Sequence, residues 1–280
     1  MRDLTRYRKR LVQDRTREGQ RVEKVLEDAG IKLASVASQT LSKSGRAMID
    51  ALIGGERDPV VLADLAKKRM RLNIVELRRA LVGRFGGHHA GMLRLHLSHI
   101  DHLDTLITEL DGLIDRKIKP FASAIARLQT ITGVGATNAQ ILLAEIGPDM
   151  SVFPTAAHLA SWCGICPGNN ESAGKHRTNP SNPWLADALV QAAWAASRSK
   201  NTWLAARFWR LARRIGNKKA LLAIAHSMVI AIWHMHTNSC DYQDLGVSWW
   251  DRRANPAMET QRLKRRLEAL GHRVTLEPVA

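Results

Sequence analysis

Residues 92–118 read MLRLHLSHIDHLDTLITELDGLIDRKI, and this stretch decides the fold. Leu93, Ile100, Ile107 and Ile114 recur every seven residues, with Leu97, Leu103 and Leu110 beside them. Apolar residues so spaced share one side of an α-helix, where 3.6 residues make a turn. The spacing predicts one long helix over 92–118, closed by Pro120, which cannot donate to the helical ladder. Asp104 and Asp111 interrupt the apolar seam, and His96, His99 and His102 read as surface histidines flanking it.

Toward the N-terminus, Leu4, Tyr7, Leu11, Val22, Val25 and Leu26 also recur at helical spacing, with Gly30 as the stop. Residues 31–85 read as broken helix punctuated by Gly54, Gly55 and Pro59, and Gly83, Gly86, Gly87 and Gly91 mark a corner. Two long helices joined through a glycine-rich region predict an antiparallel hairpin or a dimerising stalk over 1–120; the plainer alternative is one amphipathic helix packed on its own domain. Toward the C-terminus, helices are expected at 123–130, 136–147, 155–163, 184–198, 201–214 and 217–236. The polar stretch 167–183 is expected to be a loop. A tail over 239–280 holds Trp249, Trp250 and a basic amphipathic helix at 258–270, and residues 273–276 (RVTL) are a strand candidate. The fold class is mainly α: a long helical stalk or hairpin (1–120), an α-helical domain (121–238) and a tail (239–280).

Composition narrows the function. The chain carries 42 Lys+Arg against 26 Asp+Glu, a net charge of +16, and 45% hydrophobic residues. That apolar share excludes wholesale disorder, and the surplus of bases points to a polyanion, nucleic acid before an anionic membrane. All eight Trp lie from Trp162 onward, which predicts the core in the C-terminal half. Three cysteines make no disulfide framework and suit a reducing compartment. The charged N-terminus is unlike a signal peptide, and the longest apolar run, 220–233, contains His226 and is shorter than a membrane span. A cytoplasmic protein making no membrane contact is expected.

Three motifs carry chemistry. The first is the run from Leu128 to Leu142, which has Gly133-Val134-Gly135 at its centre, Ile131 before it and Ala139 and Ile141 after it. It reads as helix, tight turn, helix, with backbone N–H groups offered to a phosphate at a helix N-terminus, and so resembles the helix-hairpin-helix module. The alternative is an ordinary turn between two core helices. The second is charge: residues 168–219 hold ten Lys+Arg against Glu171 and Asp187. Arg207, Arg210 and Arg214 share one helical face, with Leu204, Phe208 and Leu211 on the other. Such a face suits DNA phosphates, against the alternative of a merely solvated surface; Trp203 and Trp209 are either core or stacking residues. The third is the loop in which Ser172 is followed by Lys175, His176 and Arg177, a hydroxyl among cations. A phosphodiester-attacking group needs that setting, although a serine in a polar loop is more often a turn former. Cys163 and Cys166, with His158 and His176 nearby, could be proposed as zinc ligands, but the surrounding Trp162, Ile165 and Pro167 read as packing, and no metal ligand is assigned.

The ordered set of Thr132–Ala136, Phe153, Leu159–Pro167, Ser172–Lys175, Lys218–Leu221, Ile232-Trp233 and the tail from Gly271 resembles the IS110/IS116/IS902 transposases. The resemblance is strongest over 125–236. It implies a DNA recombinase in which Ser172 attacks the scissile phosphate and forms a phosphoserine link to DNA. Gly133, Gly135, Lys175, Arg177, Arg207, Arg210 and Arg214 would then contact DNA. It further implies a RuvC-like half preceding residue 1 with an Asp/Glu/Asp/Asp Mg²⁺ site, a stalk that makes a dimer or higher homo-oligomer, and a structured guide RNA. Asp50, Asp58, Asp64, Asp101, Asp104 and Asp111 sit in helical patterns and do not read as that tetrad. The chain is therefore expected to be a partial transposase, or alternatively an inactive nucleic-acid-binding and dimerisation module derived from one.

Overall fold

The computed structural model describes residues 1–166, 171–172, 175–176, 182–249 and 256–275. The long helix is longer than its seam predicts: α6 spans Gly87–Ile118, so Gly87 and Gly91 lie inside it and the corner contracts to 81–86. Gly86 caps its start, and the Gly86 N–H donates to His89 Nδ1 (3.0 Å). His89 Nε2 lies 3.2 Å from Asp28 Oδ2. With Nδ1 accepting, Nε2 carries the proton, and one neutral imidazole ties the start of α6 to the end of the first helix. That helix, α1 (Arg2–Asp28), stops where Gly30 takes a positive φ of 79°.

α1 and α6 pack together as an antiparallel hairpin. The register is written in charge: Arg8 pairs with Asp111, Arg15 with Asp104, and Glu18 with His99, so residue numbers rise on one helix as they fall on the other. Asp104 and Asp111 are thus not flaws in a seam but partners for α1. The seam itself is buried through Leu93, Leu97, Ile100, Leu103, Leu110 and Ile114, with Ile107 half-buried.

Between the two long helices the broken-helix segment forms α2 (Leu33–Val36), α3 (Lys43–Ile53), α4 (Pro59–Asp64), a 3₁₀ turn (Lys68–Asn73) and α5 (Ile74–Ala80). Ser42 and Asp58 accept from the first N–H groups of α3 and α4, as their types predict. Val22, Leu26, Ile31, Leu33, Met48, Ile49, Leu52, Leu62, Leu77, Leu93 and Ile100 enclose a core without tryptophan. The expectation that the core lies in the C-terminal half is therefore corrected: aliphatic interdigitation suffices here, and tryptophan content was a poor guide.

The chain divides into two compact units, Met1–Lys119 and Pro120–Ala280. The second contains α7 (Ala122–Gln129), α8 (Ala136–Ile146), α9 (Ala156–Trp162), α10 (Pro183–Ser197), α11 (Trp203–Ile215), α12 (Asn217–Thr237) and α13 (Pro256–Ala269). α12 packs on α9, α10 and α11, burying Ala220, Ile224, Met228, Val229 and Ile232. It is long and apolar enough to cross a membrane, but this buried face makes it a core helix of the unit. α10 meets α8 and α12 through Ala188, Ala192, Ala193 and Ala196, whose small side chains let backbones approach closely. The class is mainly α, as expected. The strand expected at 273–276 is not formed over 273–275; residue 276 lies outside the described residues. The one described ladder is a two-residue antiparallel pairing, Glu171 with His176 and Ser172 with Lys175.

Candidate nucleic-acid interface

The glycine turn fixes the helices around it. Ile131 and Val134 are buried in the turn joining α7 to α8, with Leu128 and Ala139 on either side. Gly133 has φ +92°, and a Cβ there would lie 2.3 Å from the Ala192 carbonyl oxygen and 2.6 Å from Ala196 N. Only a glycine lets the turn seat on α10. Gly135 differs: it caps α8 from extended backbone, and a Cβ there would meet nothing within 4 Å. The two glycines of the motif thus do separate jobs, one packing against α10 and one leaving the start of α8 open. Thr130 Oγ1 accepts the Tyr242 N–H (2.9 Å), anchoring the same turn to the segment after α12.

The second part is α11, started by Thr202, whose hydroxyl accepts the Ala205 N–H (3.3 Å). Leu204, Ala205 and Phe208 are buried, with Leu211 half-buried. Arg210, Arg213 and Arg214 are exposed, and Lys218 and Lys219 extend this exposed run across Gly216, whose φ of +81° turns the chain from α11 into α12. Arg207 is placed differently from Arg210 and Arg214: it is half-buried, with its guanidinium 5.1 Å from the centre of the Trp203 ring. Burial, then the neighbouring Arg210 charge, lowers its pKa, although it stays a cation at neutral pH. Trp203 stands edge-on to Trp249 at 5.8 Å and donates its backbone N–H to Asp244 Oδ1 (2.9 Å). Trp209 is exposed.

The third part is the short ladder, whose backbone puts Ser172 opposite Lys175. Arg177 lies outside the described residues. Sequence reading missed Glu145, which is fully buried near the end of α8 and accepts from Asn182 Nδ2 (2.7 Å). Asn182 in turn caps α10 by accepting from Trp184 N and Leu185 N. One buried carboxylate therefore joins the end of α8 to the start of α10, which brackets the segment carrying Ser172. Its signal was a single acid inside the apolar run 141–146 (ILLAEI).

Cys163 is buried, and burial, with Cys166 adding to it, pushes its thiol up to about 12. His158 is engaged by Thr155 (2.7 Å). Among the described residues no three His, Cys, Asp or Glu side chains group as metal ligands. The six aspartates at 50, 58, 64, 101, 104 and 111 do not fit a Mg²⁺ centre, because each is already used. Asp50 and Asp101 bind Arg46, Asp104 binds Arg15, Asp111 binds Arg8, Asp64 faces Arg78 at 3.7 Å, and Asp58 caps α4.

In the second unit a buried glycine turn stands with a solvent-facing row of arginines, a local surplus of positive charge. Residues 125–210 match the model of the Transposase IS116/IS110/IS902 family. Over 120 residues the chain is 30% identical to an uncharacterized 43.6 kDa protein of insertion element IS110 from Streptomyces coelicolor, covering 41% of this chain and 29% of that protein. Over 129 residues it is 29% identical to the putative transposase y4pF/y4sB of Sinorhizobium fredii, covering 42% of this chain and 32% of that protein. The match therefore spans about a third or less of either relative.

Proposed function

We propose that the chain is the DNA-handling part of an IS110-type transposase and that Ser172 is its nucleophile. The observation that carries this reading is the family match over 125–210, which encloses the glycine turn, the ladder holding Ser172 and the start of the arginine row. In the proposed step Ser172 Oγ attacks a DNA phosphorus. The Oγ–P bond forms, one P–O ester bond to deoxyribose breaks, the serine proton passes to a base, and the departing sugar oxygen gains a proton. Lys175 and Arg177 would offset charge on the phosphoryl oxygens. The α7–α8 turn acts as a helix-hairpin-helix, with the open start of α8 at Gly135 toward a phosphate and Gly133 holding the turn on α10. Arg210 and Arg214, with Arg213, take the neighbouring phosphates, while Arg207 braces Trp203. A homo-oligomer built on the α1–α6 hairpin and a structured guide RNA belong to the same proposal.

The alternative of a nucleic-acid-binding and dimerisation module without cleavage is favoured by one observation: Asp50, Asp64, Asp101, Asp104 and Asp111 are engaged by arginines and Asp58 caps α4. One experiment separates the two readings. The chain is incubated with element-end DNA and Mg²⁺, and denaturing gels are read for a protein–DNA adduct. Cleavage predicts an adduct that disappears in Ser172→Ala; no adduct, or an equal one in the variant, leaves the binding module. In parallel, Arg210→Ala with Arg214→Ala is expected to flatten the salt dependence of DNA binding, the slope of log K against log salt falling by about 0.9 for each phosphate no longer neutralised.

A further inference from the structure

A further run of positive charge lies in the first unit, outside the segment that matches the transposase family. Residues 67–84 hold Lys67, Lys68, Arg69, Arg71, Arg78, Arg79 and Arg84 against the single acid Glu76. Several other arginines of the first unit, Arg8, Arg15, Arg21 and Arg46, hold carboxylates, as Arg78 within the run faces Asp64. Lys67, Lys68, Arg69 and Arg71 are exposed, and none pairs with a carboxylate among the described residues. They stand on and beside the 3₁₀ turn Lys68–Asn73, which is held firmly. Met70 and Ile74 pack on the aliphatic core, and the Lys67 N–H donates to Ser44 Oγ (2.9 Å). Lys68 and Arg71 lie three residues apart on this turn, about 6 Å along a 3₁₀ axis. A duplex strand carries one phosphate about every 3.4 Å of axis, so the two cations reach separate phosphates of one strand.

We infer that this turn is a second, sequence-independent contact to the backbone of double-stranded DNA. Single strands are disfavoured because no aromatic side chain lies in 67–84 to stack on a base. An anionic membrane is disfavoured because the exposed apolar side chains here are Leu72, Val75 and Val82, short of the broad Trp/Phe/Leu face that interfacial binding uses. The inference rests on the reading that the chain handles DNA, yet it uses none of the residues of the transposase domain.

The test is DNA binding by the full chain, with fluorescence anisotropy of a random-sequence duplex across a salt series. Lys68→Ala/Arg69→Ala/Arg71→Ala should lower the slope of log K against log salt by about 2 to 3 and weaken binding at least about tenfold at low salt. The charge-keeping pair Arg69→Lys/Arg71→Lys should retain the wild-type slope. A triple variant with an unchanged slope overturns the inference, as does a Lys pair whose slope falls equally, since packing and not charge would then be at work. Transfer of the triple variant's defect to duplex RNA or anionic vesicles, with duplex DNA unaffected, also overturns it. If the wild-type chain binds no DNA, both this inference and the proposed function fall. If Arg210→Ala/Arg214→Ala weakens binding and the 3₁₀-turn variant does not, only this inference falls.

Discussion

Glu18 is the most consequential charge in the first unit, and replacing it with glutamine tests how the hairpin is held. Its side chain is 5% exposed on α1. His99 Nδ1 lies 2.8 Å and His96 Nδ1 3.3 Å from Oε1, and Arg21 binds Oε2. Burial alone would push the carboxyl up, but hydrogen bonds from His99, Arg21 and His96 outweigh it and hold it at about 2, against an ordinary 4.5. That difference favours the ionised carboxylate in the folded state by about 3 kcal/mol. Because the folded value is depressed, this stability is whole above about pH 4.5 and is lost as pH falls toward 2. In Glu18→Gln the amide keeps the volume and one accepting oxygen but turns an NH₂ toward donors. Arg21 and His99 are more than half exposed and can rehydrate, so the expected loss at neutral pH is about 2–3 kcal/mol rather than the larger cost of a fully stranded buried partner. Urea unfolding followed by far-UV circular dichroism measures it. Every tryptophan lies in the second unit, so tryptophan fluorescence serves as an internal control and should keep its midpoint. A neutral-pH loss below about 0.5 kcal/mol, or a gap between variant and wild type that widens on acidification, would refute the reasoning.

Three further outcomes are expected. Gly133→Ala should destabilise the second unit by about 2–4 kcal/mol, from steric overlap with α10 plus the positive φ, while Gly135→Ala should cost less than about 1 kcal/mol; tryptophan-monitored urea melts compare them. Arg8→Ala and Arg15→Ala should each cost about 0.5–1 kcal/mol, since their ion pairs are partly exposed, and the loss should shrink in high salt. Cys163, buried with its thiol pushed up to about 12, should resist iodoacetamide at neutral pH while exposed Cys240 reacts, which peptide mass spectrometry resolves; equal labelling would contradict the described core.

Much of this was legible because helices announce themselves locally. The seven-residue spacing of Leu93, Ile100, Ile107 and Ile114 and the stop at Gly30 set element type and ends within a few residues. The order of motifs from Thr132 to Trp233 also marked the transposase segment. Long-range partners were harder to read. Asp104 and Asp111 repeat every seven residues just as Arg8 and Arg15 do, but matching them requires knowing that two distant helices run antiparallel. The same gap hid Glu18 with its histidines, and Glu145 with Asn182.

The sequence by itself determined a mainly helical chain, a long apolar seam and a surplus of positive charge, because spacing and composition act along the chain, and its ordered motifs resembled the IS110/IS116/IS902 transposases. Only the tertiary structure decided which charges are spent. Pairing across α1 and α6 neutralises Arg8 and Arg15 of the first helix, Arg207 stands half-buried over the Trp203 ring, and the cations of the 3₁₀ turn are left facing water. A net charge sums over residues, whereas an interface depends on which of them no carboxylate has reached.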